Sequence, residues 1–580
     1  MTSIHHGSFA DSHSKWMPAI SRWSPTVAVV SLLVLLVLVP VGFLLLSSFK
    51  PDGSLTEDGF TLANYATVYL DAEFWGILWQ TCVFVVGSTA AALVLGTGLA
   101  WLVERTDLPY GNVIRIFIIL PLATPPLLLA IAWLMLLSPR SGVLNQWLMS
   151  LFGLETAPLN ISSMGGMIFV EALALVPTVF LMMAPAFRRV DPSLEEAALM
   201  AGASTWTIVR RIMLPILRPT LLASTVFLAI VGFVVFDIPG TLGMPVRVFV
   251  LSSQIYYLIG SSPAGVPAYG QVSAIATLFL VMLVSLALVY QRLTSQSHRF
   301  VTITGKSFRP RRFVLGRSRW IGMLFVGIYF LLAIILPLGI LVWTSLMPYQ
   351  GPVSWDMASS ATLSNHREFL SNPSTLKAVF NSLVVAVISA TVVAMLSVVI
   401  GWLVVRSTVP GRRVIDILSF LPIAVPGIMM GVALMYVYLT VQIVPIYGTI
   451  WILVIAYITS YLAFGSRSAQ GVMFQLHREL EEAAEMAGAS RLRIFWRITL
   501  RLTMPAFVAI WIWVLAHVVR ELSTALILHG RYNTVVSTLI WDYWTNGGAT
   551  GAAAISVWLI AALALLLGFS QFLGRKNQLS

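Results

Sequence analysis

The sequence predicts an all-α polytopic membrane protein in which about 12 transmembrane helices form two parallel six-helix repeats. Two observations support this fold class. The 580 residues are 58% hydrophobic and only 10% charged, whereas an ordinary globular domain carries about 25% charged residues. Apolar runs of roughly 20 residues recur along the whole length, and each is long enough to cross a bilayer as a helix.

The apolar runs place the predicted domains. We expect an N-terminal tail (1–25), a first six-helix transmembrane domain (26–291), a basic linker (292–319), a second six-helix domain (320–573) and a C-terminal tail (574–580). The run that begins at Thr26 is too long for a signal peptide and is expected to stay as the first span. The predicted spans lie near residues 26–48, 80–103, 114–137, 164–187, 220–238, 272–291, 320–345, 380–404, 414–438, 447–466, 504–528 and 552–573.

The basic residues predict the orientation. With the N-terminus in the cytoplasm, Arg520 lies in a span, six Lys and Arg lie outside, and the remaining 28 of the 35 lie in cytoplasmic segments. The positive-inside rule therefore predicts that both termini are cytoplasmic. The basic linker is expected to lie at the anionic inner leaflet of the lipid bilayer, which we favour over a regulatory site.

Other features exclude whole classes of function. The single cysteine, Cys82, lies in an apolar run, so no internal disulfide is possible and redox chemistry is not expected. The net charge of +12 comes from loops on one membrane side, so we expect no nucleic-acid partner. His5, His6 and His13 share a polar tail, where a solvated segment is expected rather than a metal site.

The two halves share short sequences at fixed spacings. Residues 61–64 resemble residues 362–365, at an offset of 301, and a later phrase recurs at an offset of 286. The first half therefore carries about fifteen extra residues between its third and fourth spans. Six spans return the chain to the same side, so the repeats are parallel and a translocation path is expected on the axis between them. The offset of 301 also pairs Trp101 with Trp402, Arg105 with Arg406, Pro121 with Pro422 and Pro125 with Pro426.

The later phrase is the most informative repeat. EEAALMAGAS at residues 195–204 returns as EEAAEMAGAS at residues 481–490. Its alanine-rich run favours a helix. Gly202 and Gly488 are expected to end the two helices in the left-handed conformation, and Ser204 and Ser490 are placed to cap the next helices.

The two copies differ at their ends. The first copy can start at Asp191 as N-cap with Pro192 at the first helical position, or at a capping box from Ser193 to Glu196. The second copy lacks the Asp-Pro start.

One such amphipathic helix could be a linker lying on the membrane. Two matching acidic copies in equivalent loops favour a repeated protein contact, because an anionic lipid surface repels acidic residues.

At these residues the chain resembles the EAA loop of ABC-transporter permeases of the binding-protein-dependent importer type. That pattern is Glu-Ala-Ala, three residues, Gly, nine residues, Ile, one residue and Leu-Pro. The first copy matches it fully, through Leu214-Pro215, whereas Arg501 replaces the proline in the second copy. Pro505 corresponds to Pro219, so a similar turn is expected after both motifs.

The resemblance implies a type I ABC importer-like permease in the bacterial cytoplasmic membrane. In that family the EAA helix is the coupling helix that docks on the ATPase. The expected partners are an ABC ATPase, as a homodimer, and a periplasmic or extracellular substrate-binding protein. The chain has no phosphate-binding loop, so it is not expected to be an enzyme; ATP and magnesium would bind the partner. The resemblance assigns docking to Glu195, Glu196, Ala197, Ala198, Gly202, Glu481, Glu482, Ala483, Ala484 and Gly488.

Ionisable residues in spans are candidates for the translocation path because they are costly in lipid. Glu171 lies in the fourth span, Asp237 ends the fifth, and Arg520-Glu521 lies in the eleventh. For Asp237 and Glu521 a path role and a purely structural role are both open, whereas the structural role is favoured for Glu171. No metal site is predicted, since two carboxylates alone do not make one.

The segments 237–239 and 520–522 and the sequence LSPRSGVLN at 137–145 are similar to permeases of the ferric-iron importer group, as is the fused twelve-span layout. The resemblance implies ferric iron as the substrate, and hard Fe(III) suits carboxylate oxygens. Thiamine, 2-aminoethylphosphonate, hexose phosphate and polyamine remain alternatives.

A proton-coupled secondary transporter also has two parallel six-span halves, but it would not need matched EAA loops. A membrane enzyme would need a polar cluster at one membrane face, which the sequence lacks.

Overall fold

The computed structural model describes residues 24–53, 58–260, 268–297, 312–351, 353–441, 444–477 and 479–579. The tail histidines and linker residues 298–311 lie outside the described residues. The first half contains helices α1 (Ser24–Ser48), α2 (Ala63–Tyr69), α3 (Ala72–Arg105), α4 (Gly111–Ile119), α5 (Pro126–Leu137), α6 (Val143–Phe152), α7 (Met164–Arg188), α8 (Pro192–Met200), α9 (Thr205–Ile208), α10 (Leu214–Val234), α11 (Leu251–Gly260) and α12 (Tyr269–Ser297).

The second half repeats this order. It contains α13 (Arg319–Phe330), α14 (Leu336–Leu346), α15 (Trp355–Ser359), α16 (Ser364–Ser371), α17 (Pro373–Val405), α18 (Arg412–Phe420), α19 (Gly427–Thr440), α20 (Ile450–Gln475), α21 (Glu479–Met486), α22 (Arg491–Ile494), α23 (Leu500–Leu502), α24 (Met504–Arg520), α25 (Ser523–Leu528), α26 (Val536–Thr545) and α27 (Ala549–Leu579).

The helices confirm the all-α polytopic fold class. In the described part of the chain, nine continuous helices are long and apolar enough to cross a membrane, and four further helix pairs would qualify if each bent pair is one span. Three of these pairs correspond to the predicted third, ninth and eleventh spans. The fourth pair, residues 239–260, was not predicted, because its two short helices lack one long apolar run. Helix α6 occupies much of the fifteen-residue insertion in the first half.

The third span of each half is sharply bent rather than straight. The bends measure 94° between residues 111–123 and 126–137 and 107° between residues 412–424 and 427–440. In both halves, a 3-10 turn with proline at its second position precedes an extended residue and a second proline, Pro125 or Pro426. Proline has no N–H to continue the helix, and it disfavours the helical conformation of the residue before it. The prolines that mark the repeat therefore also produce the bend.

Each half is built on its second and fourth spans, and the first spans join the halves. Helix α3 packs along α7, and α17 packs along α20. Helix α1 packs against α19 of the other half, and α14 packs against α5. Thr26 Oγ1 donates a hydrogen bond to Pro410 O at 2.9 Å, and Tyr436 donates one to Gly53 O, both across the halves. The two repeats are therefore interlocked.

The fifth spans end earlier than the sequence predicted. Helices α10 and α24 end at Val234 and Arg520, which are equivalent at the offset of 286. The next residue is extended in both halves. Its carbonyl accepts a serine hydroxyl at 2.6 Å, from Ser252 in the first half and Ser537 in the second. These breaks place Asp237 and Glu521 beyond the spans to which the sequence had assigned them.

One arginine joins the break of the second half to the bend of the first. Arg520 Nη1 donates a hydrogen bond of 2.7 Å to Leu122 O, within the 3-10 turn that follows α4. The carbonyl ends of a helix carry partial negative charge, so a cation is favourable there. Glu521 lies at the N-terminal end of a helix, where partial positive charge favours an anion. Its Oε1 would be 3.0 Å from a Cβ placed on Gly427, the first residue of α19.

We expect Arg520→Met to lower the thermal stability of the purified protein. The change removes a charge-assisted hydrogen bond across the halves, worth about 1.5–3 kcal/mol. The measurement is the unfolding midpoint in detergent, followed by size-exclusion chromatography. Arg520→Lys keeps a cation and should melt closer to wild type, and Arg531→Met removes an exposed arginine as a control. An unchanged midpoint for Arg520→Met would contradict the assigned contact.

Candidate functional site

The first copy of the repeated phrase forms a short helix that ends at a glycine. Asp191 is its N-cap, since its side chain accepts the Ser193 N–H at 2.9 Å, and Pro192 occupies the first helical position. Gly202 has φ of +79°, and the Ala203 N–H bonds Ala198 O at 3.0 Å. This six-residue closure is the Schellman motif. The expected Asp-Pro start and left-handed glycine are both confirmed.

The second copy closes in the same way. Helix α21 ends at Met486, Gly488 has φ of +80°, and the Ala489 N–H bonds Ala484 O at 3.0 Å. A Cβ built on either glycine would meet nothing within 4 Å. Glycine is therefore needed for its left-handed backbone rather than for space. We call these two segments, residues 191–204 and 479–490, the elbows.

The helix that follows each elbow begins alike and then differs. The hydroxyls of Ser204 and Ser490 accept N–H groups of the next turn at 3.3 and 3.4 Å, and a π-turn follows at residues 209–213 and 495–499. The first-half helix then continues through Pro219 to Val234. The second-half helix bends by 63° at Thr503.

The expectation of a similar turn after both motifs was wrong. Thr503 Oγ1 donates to the carbonyls of Thr499 and Leu500 at 2.8 and 3.3 Å. Such back-bonding from threonine bends helices. The equivalent residue of the first half is Leu217, which has no hydroxyl.

Most of the predicted docking residues lie on exposed surface. Glu196 and Ala197 of the first elbow are exposed, as are Glu482 and Ala483 of the second, while Ala198 and Ala484 are half-buried. Two apolar residues on the same surface were not predicted. Met200 and Met486 are each 90% exposed. Methionine stands at the same place in both copies, which could have indicated a shared contact surface. It was considered there only as a good helix former.

Glu195 differs from the other predicted docking residues because it is buried. Both Glu195 and Arg105 have fully buried side chains, and they form an ion pair between α8 and the end of α3. Arg105 Nη1 also donates to Phe187 O at 3.3 Å, near the end of α7. Glu195 therefore offers no surface to a partner. No local pattern predicts this pair, since 90 positions separate its members.

The end of α3 is a junction for charged groups of several elements. Glu104 pairs with Arg115 at 2.9 Å and with Arg188 at 3.4 Å. Asp107 accepts the Leu315 N–H at 2.9 Å and pairs with Arg319, the first residue of α13. These two contacts, the backbone N–H first, hold the pKa of Asp107 below its ordinary value. The chain that leads into the second half is thus fixed to the first half at α3.

The structure brings the four predicted path residues together. Glu171 and Asp237 are buried and close enough for their charges to interact, and Asp237 similarly interacts with Glu521 and Arg520. Glu521 accepts the Thr524 N–H at 2.8 Å and the Thr524 hydroxyl at 3.0 Å. Glu171 Oε2 and Asp237 Oδ1 have no hydrogen-bond partner within the described residues. The cluster therefore joins residues of both halves.

Aromatic side chains of the second half, which were not predicted, lie beside this cluster. Tyr461 lies near Glu521, Arg520 and Asp237, and His517 lies near Arg520. The His517 ring stacks on Trp513, with 3.7 Å between ring centroids. Their first-half counterparts are the apolar Leu175, Val231 and Phe227, so pairwise comparison of the halves would have found them. Among the described residues no group of three or more His, Cys, Asp or Glu could hold a metal ion.

Comparison with known proteins supports the repeat and its family. The family model of the binding-protein-dependent transport system inner membrane component matches residues 92–297 and again residues 395–577. The ferric transport system permease protein FbpB of Actinobacillus pleuropneumoniae is 25% identical over 82% of this chain and 68% of its own length. The putative ferric transport system permease protein FbpB 1 of Haemophilus influenzae is 27% identical over 72% of this chain and 64% of its own length. The chain thus spans about two thirds of these relatives.

A solved bacterial alginate ABC transporter, in complex with an alginate pentasaccharide-bound periplasmic protein, is 20% identical over 42% of this chain and 84% of its own, with a TM-score of 0.35. That score is too low to support a structural argument. The family model alone covers well over half of the chain, in two copies that coincide with the two halves. Proteins of this family are membrane permeases of ABC importers rather than enzymes. The chain belongs to the family of binding-protein-dependent transport system inner membrane components and carries that domain twice.

Proposed function

We propose that this chain is the permease of an ATP-driven importer, that its elbows dock on separate ATPase subunits, and that its cargo is ferric iron. The docking proposal rests on the pair of elbows. Each ends in the same Schellman closure, and each has exposed residues at equivalent positions. A short rigid helix held by a left-handed glycine can transmit a displacement of the ATPase to the spans attached to it. One fused chain with two similar elbows suits a homodimeric ATPase, which would bind ATP and magnesium.

The distribution of basic residues supports the proposed orientation. Arg210, Arg211, Arg497 and Arg501 follow the elbows closely in the sequence. By the positive-inside rule the side that carries the elbows faces the cytoplasm, where the ATPase would be. The substrate-binding protein would then dock on the opposite side, and both termini would be cytoplasmic.

The cargo proposal rests on the ferric names of two relatives and on the carboxylates of the buried cluster. Carboxylate oxygen is a hard ligand that suits Fe(III). The Trp513–His517 stack beside these carboxylates favours a second candidate, an organic cation such as a polyamine or thiamine, because aromatic faces attract cations. Hexose phosphate and 2-aminoethylphosphonate suit an acidic cluster less well.

We expect Gly202→Pro and Gly488→Pro to uncouple ATP hydrolysis from uptake. Proline cannot adopt the positive φ and removes the N–H that bonds Leu199 O or Glu485 O at 2.9 Å. ATP hydrolysis by the reconstituted complex should persist while uptake falls. Gly202→Asn is the control, since asparagine tolerates the left-handed conformation. Wild-type uptake by both proline variants would contradict the coupling role of the elbows.

We expect the double variant Met200→Ser, Met486→Ser to weaken ATPase binding. Both side chains are almost fully exposed, and burying such an apolar side chain in an interface contributes about 1.5–3 kcal/mol. The measurement is the dissociation constant of the ATPase from the permease in nanodiscs. The exposed methionine Met504 lies outside the elbows, so Met504→Ser is the matched control. Equal affinity of wild type and double variant would exclude the methionines from the interface.

We expect proteoliposomes with the permease, its ATPase and its binding protein to take up radioactive ferric iron, and Asp237→Asn to reduce this uptake. Asp237 is buried with an unpartnered carboxylate oxygen, so its loss removes a free ligand from the path. Glu171→Gln is the comparison, and a smaller effect is expected there. Uptake of putrescine or thiamine but not of iron would replace the cargo and leave the permease assignment intact.

A further inference from the structure

The second half contains a groove between α16 and α27. It is a cavity of about 600 Å³, and its walls include Leu363, His366, Arg367, Leu370, Val557 and Trp558. The side chains of Leu363, Leu370 and Trp558 are 63%, 53% and 44% exposed, so the groove is open at the surface of the protein. Its volume lies within the range of about 300–1,000 Å³ in which proteins hold small organic ligands. The groove can therefore admit a ligand from outside the fold.

The equivalent place in the first half is filled by aromatic side chains. Helix α2 packs on α12 there, as α16 packs on α27. Tyr69 donates its hydroxyl to Ala274 O of α12 at 2.7 Å. The centroid of its ring lies 5.8 Å from that of Tyr65 and 5.2 Å from that of Phe74. A row of three rings therefore occupies the space that forms the groove in the second half.

The second half keeps the position of the helix but lacks the three rings. At the offset of 301, the counterparts of Tyr65, Tyr69 and Phe74 are His366, Leu370 and Thr375. His366 Nε2 lies 3.1 Å from Ser345 Oγ. Tyr65 makes the same contact in the first half, where its hydroxyl lies 2.7 Å from Ser48 Oγ. Helix α16 is therefore held in the same way as α2, and its smaller side chains leave the groove open.

The groove lies at a membrane boundary. Helix α16 has eight residues, too few to cross a bilayer, and it directly precedes the eighth span. Val557 and Trp558 lie in the third turn of α27, which is a candidate membrane span. Phe369 of α16 stacks on Trp558, with 6.1 Å between ring centroids. Tryptophan is enriched at the level of the lipid headgroups. The open side of the groove therefore faces lipid, and its α16 side lies near the headgroups.

Arg367 provides a free cation beside this apolar wall. Its side chain is exposed and forms no hydrogen bond or ion pair with any residue that the structure describes. An unpaired arginine at a lipid-facing surface is costly. A guanidinium can donate two parallel hydrogen bonds to phosphate oxygens, which makes phosphate a fitting partner. The first-half counterpart of Arg367 is Ala66, so the cation and the open groove occur together in the second half.

We propose that this groove binds a phospholipid, with the phosphate on Arg367 and an acyl chain along Val557 and Trp558. The pairing of one cation with an apolar wall matches the two ends of such a lipid. A soluble anion would leave the apolar wall unused, and a plain hydrocarbon would leave Arg367 unpaired. The groove does not include the elbows or the buried polar cluster, so the site is additional to the proposed function.

The test measures lipid binding to the full chain by native mass spectrometry from detergent, after titration with phosphatidylglycerol. Arg367→Gln removes the cation. The double variant His366→Tyr, Leu370→Tyr gives the groove two of the rings that fill the first half. Arg531→Gln is the matched control, because it removes another exposed arginine that does not line the groove. Diacylglycerol with the same acyl chains shows whether the phosphate is recognised.

We expect wild type and Arg531→Gln to retain one tightly held phosphatidylglycerol more than the double tyrosine variant. Arg367→Gln should weaken the binding of this lipid about tenfold, since a hydrogen bond to a charged group is lost. Diacylglycerol should not replace the lipid. Excess inorganic phosphate should not displace it, because phosphate alone does not contact the apolar wall.

Equal retention by wild type and Arg367→Gln would overturn the proposal, as would an unchanged lipid count in the double tyrosine variant. Diacylglycerol that binds as tightly as phosphatidylglycerol would exclude recognition of the phosphate. Displacement by inorganic phosphate would assign the groove to a free anion instead. Loss of a co-purifying membrane peptide from the double variant, with its lipid count unchanged, would assign the groove to a protein partner. If size-exclusion chromatography shows that the double variant does not fold, Leu370→Phe alone fills the groove.

Discussion

The requirement that every backbone polar group inside a bilayer find a partner within the protein governs this structure. Straight helices meet it internally, but this chain interrupts its spans at the proline bends and after the fifth spans. The interruptions free carbonyls, and side chains from other elements bond them at the first bend and after both fifth spans. Arg520 bonds Leu122 O at the first bend, and Ser252 and Ser537 bond the carbonyls freed after α10 and α24. Arg520, Ser252 and Ser537 are thus first of all partners of broken backbone.

This requirement explains where the charged cluster lies. The break after α24 lies beside both bends, since Arg520 bonds Leu122 O and Glu521 lies next to Gly427, so these side chains gather between the halves. Arg520 and Glu521 match the partial charges of two helix ends. Glu171 and Asp237 have carboxylate oxygens that no described group satisfies. A structural role therefore accounts for the first two residues, whereas no contact of this kind is seen for these oxygens of Glu171 and Asp237 among the described residues.

The sequence predicted the symmetric part of the molecule well and the asymmetric part poorly. Repeated phrases revealed the two halves, the left-handed glycines and the Asp-Pro helix start, because each depends on local chemistry that a short segment carries. The bends could have been predicted from Pro125 and Pro426, which served only as markers of the repeat. The pairing of Arg105 with Glu195 could not, because nothing near either residue indicates a partner 90 positions away. The helices of residues 239–260 were missed because they lack a long apolar run.

Fusion of two repeats into one chain allows each half to keep the shared scaffold while its contacts diverge. In a homodimer, Met213 and Thr499 would be one residue, and both elbows would be bonded alike. In this chain they differ: Glu195 pairs with Arg105, whereas its counterpart Glu481 accepts the hydroxyl of Thr499 at 2.8 Å. The polar cluster is also unequal, since the second half supplies Tyr461 and His517 where the first has Leu175 and Val231. The contacts of the elbows and the composition of the polar cluster can therefore change through separate substitutions.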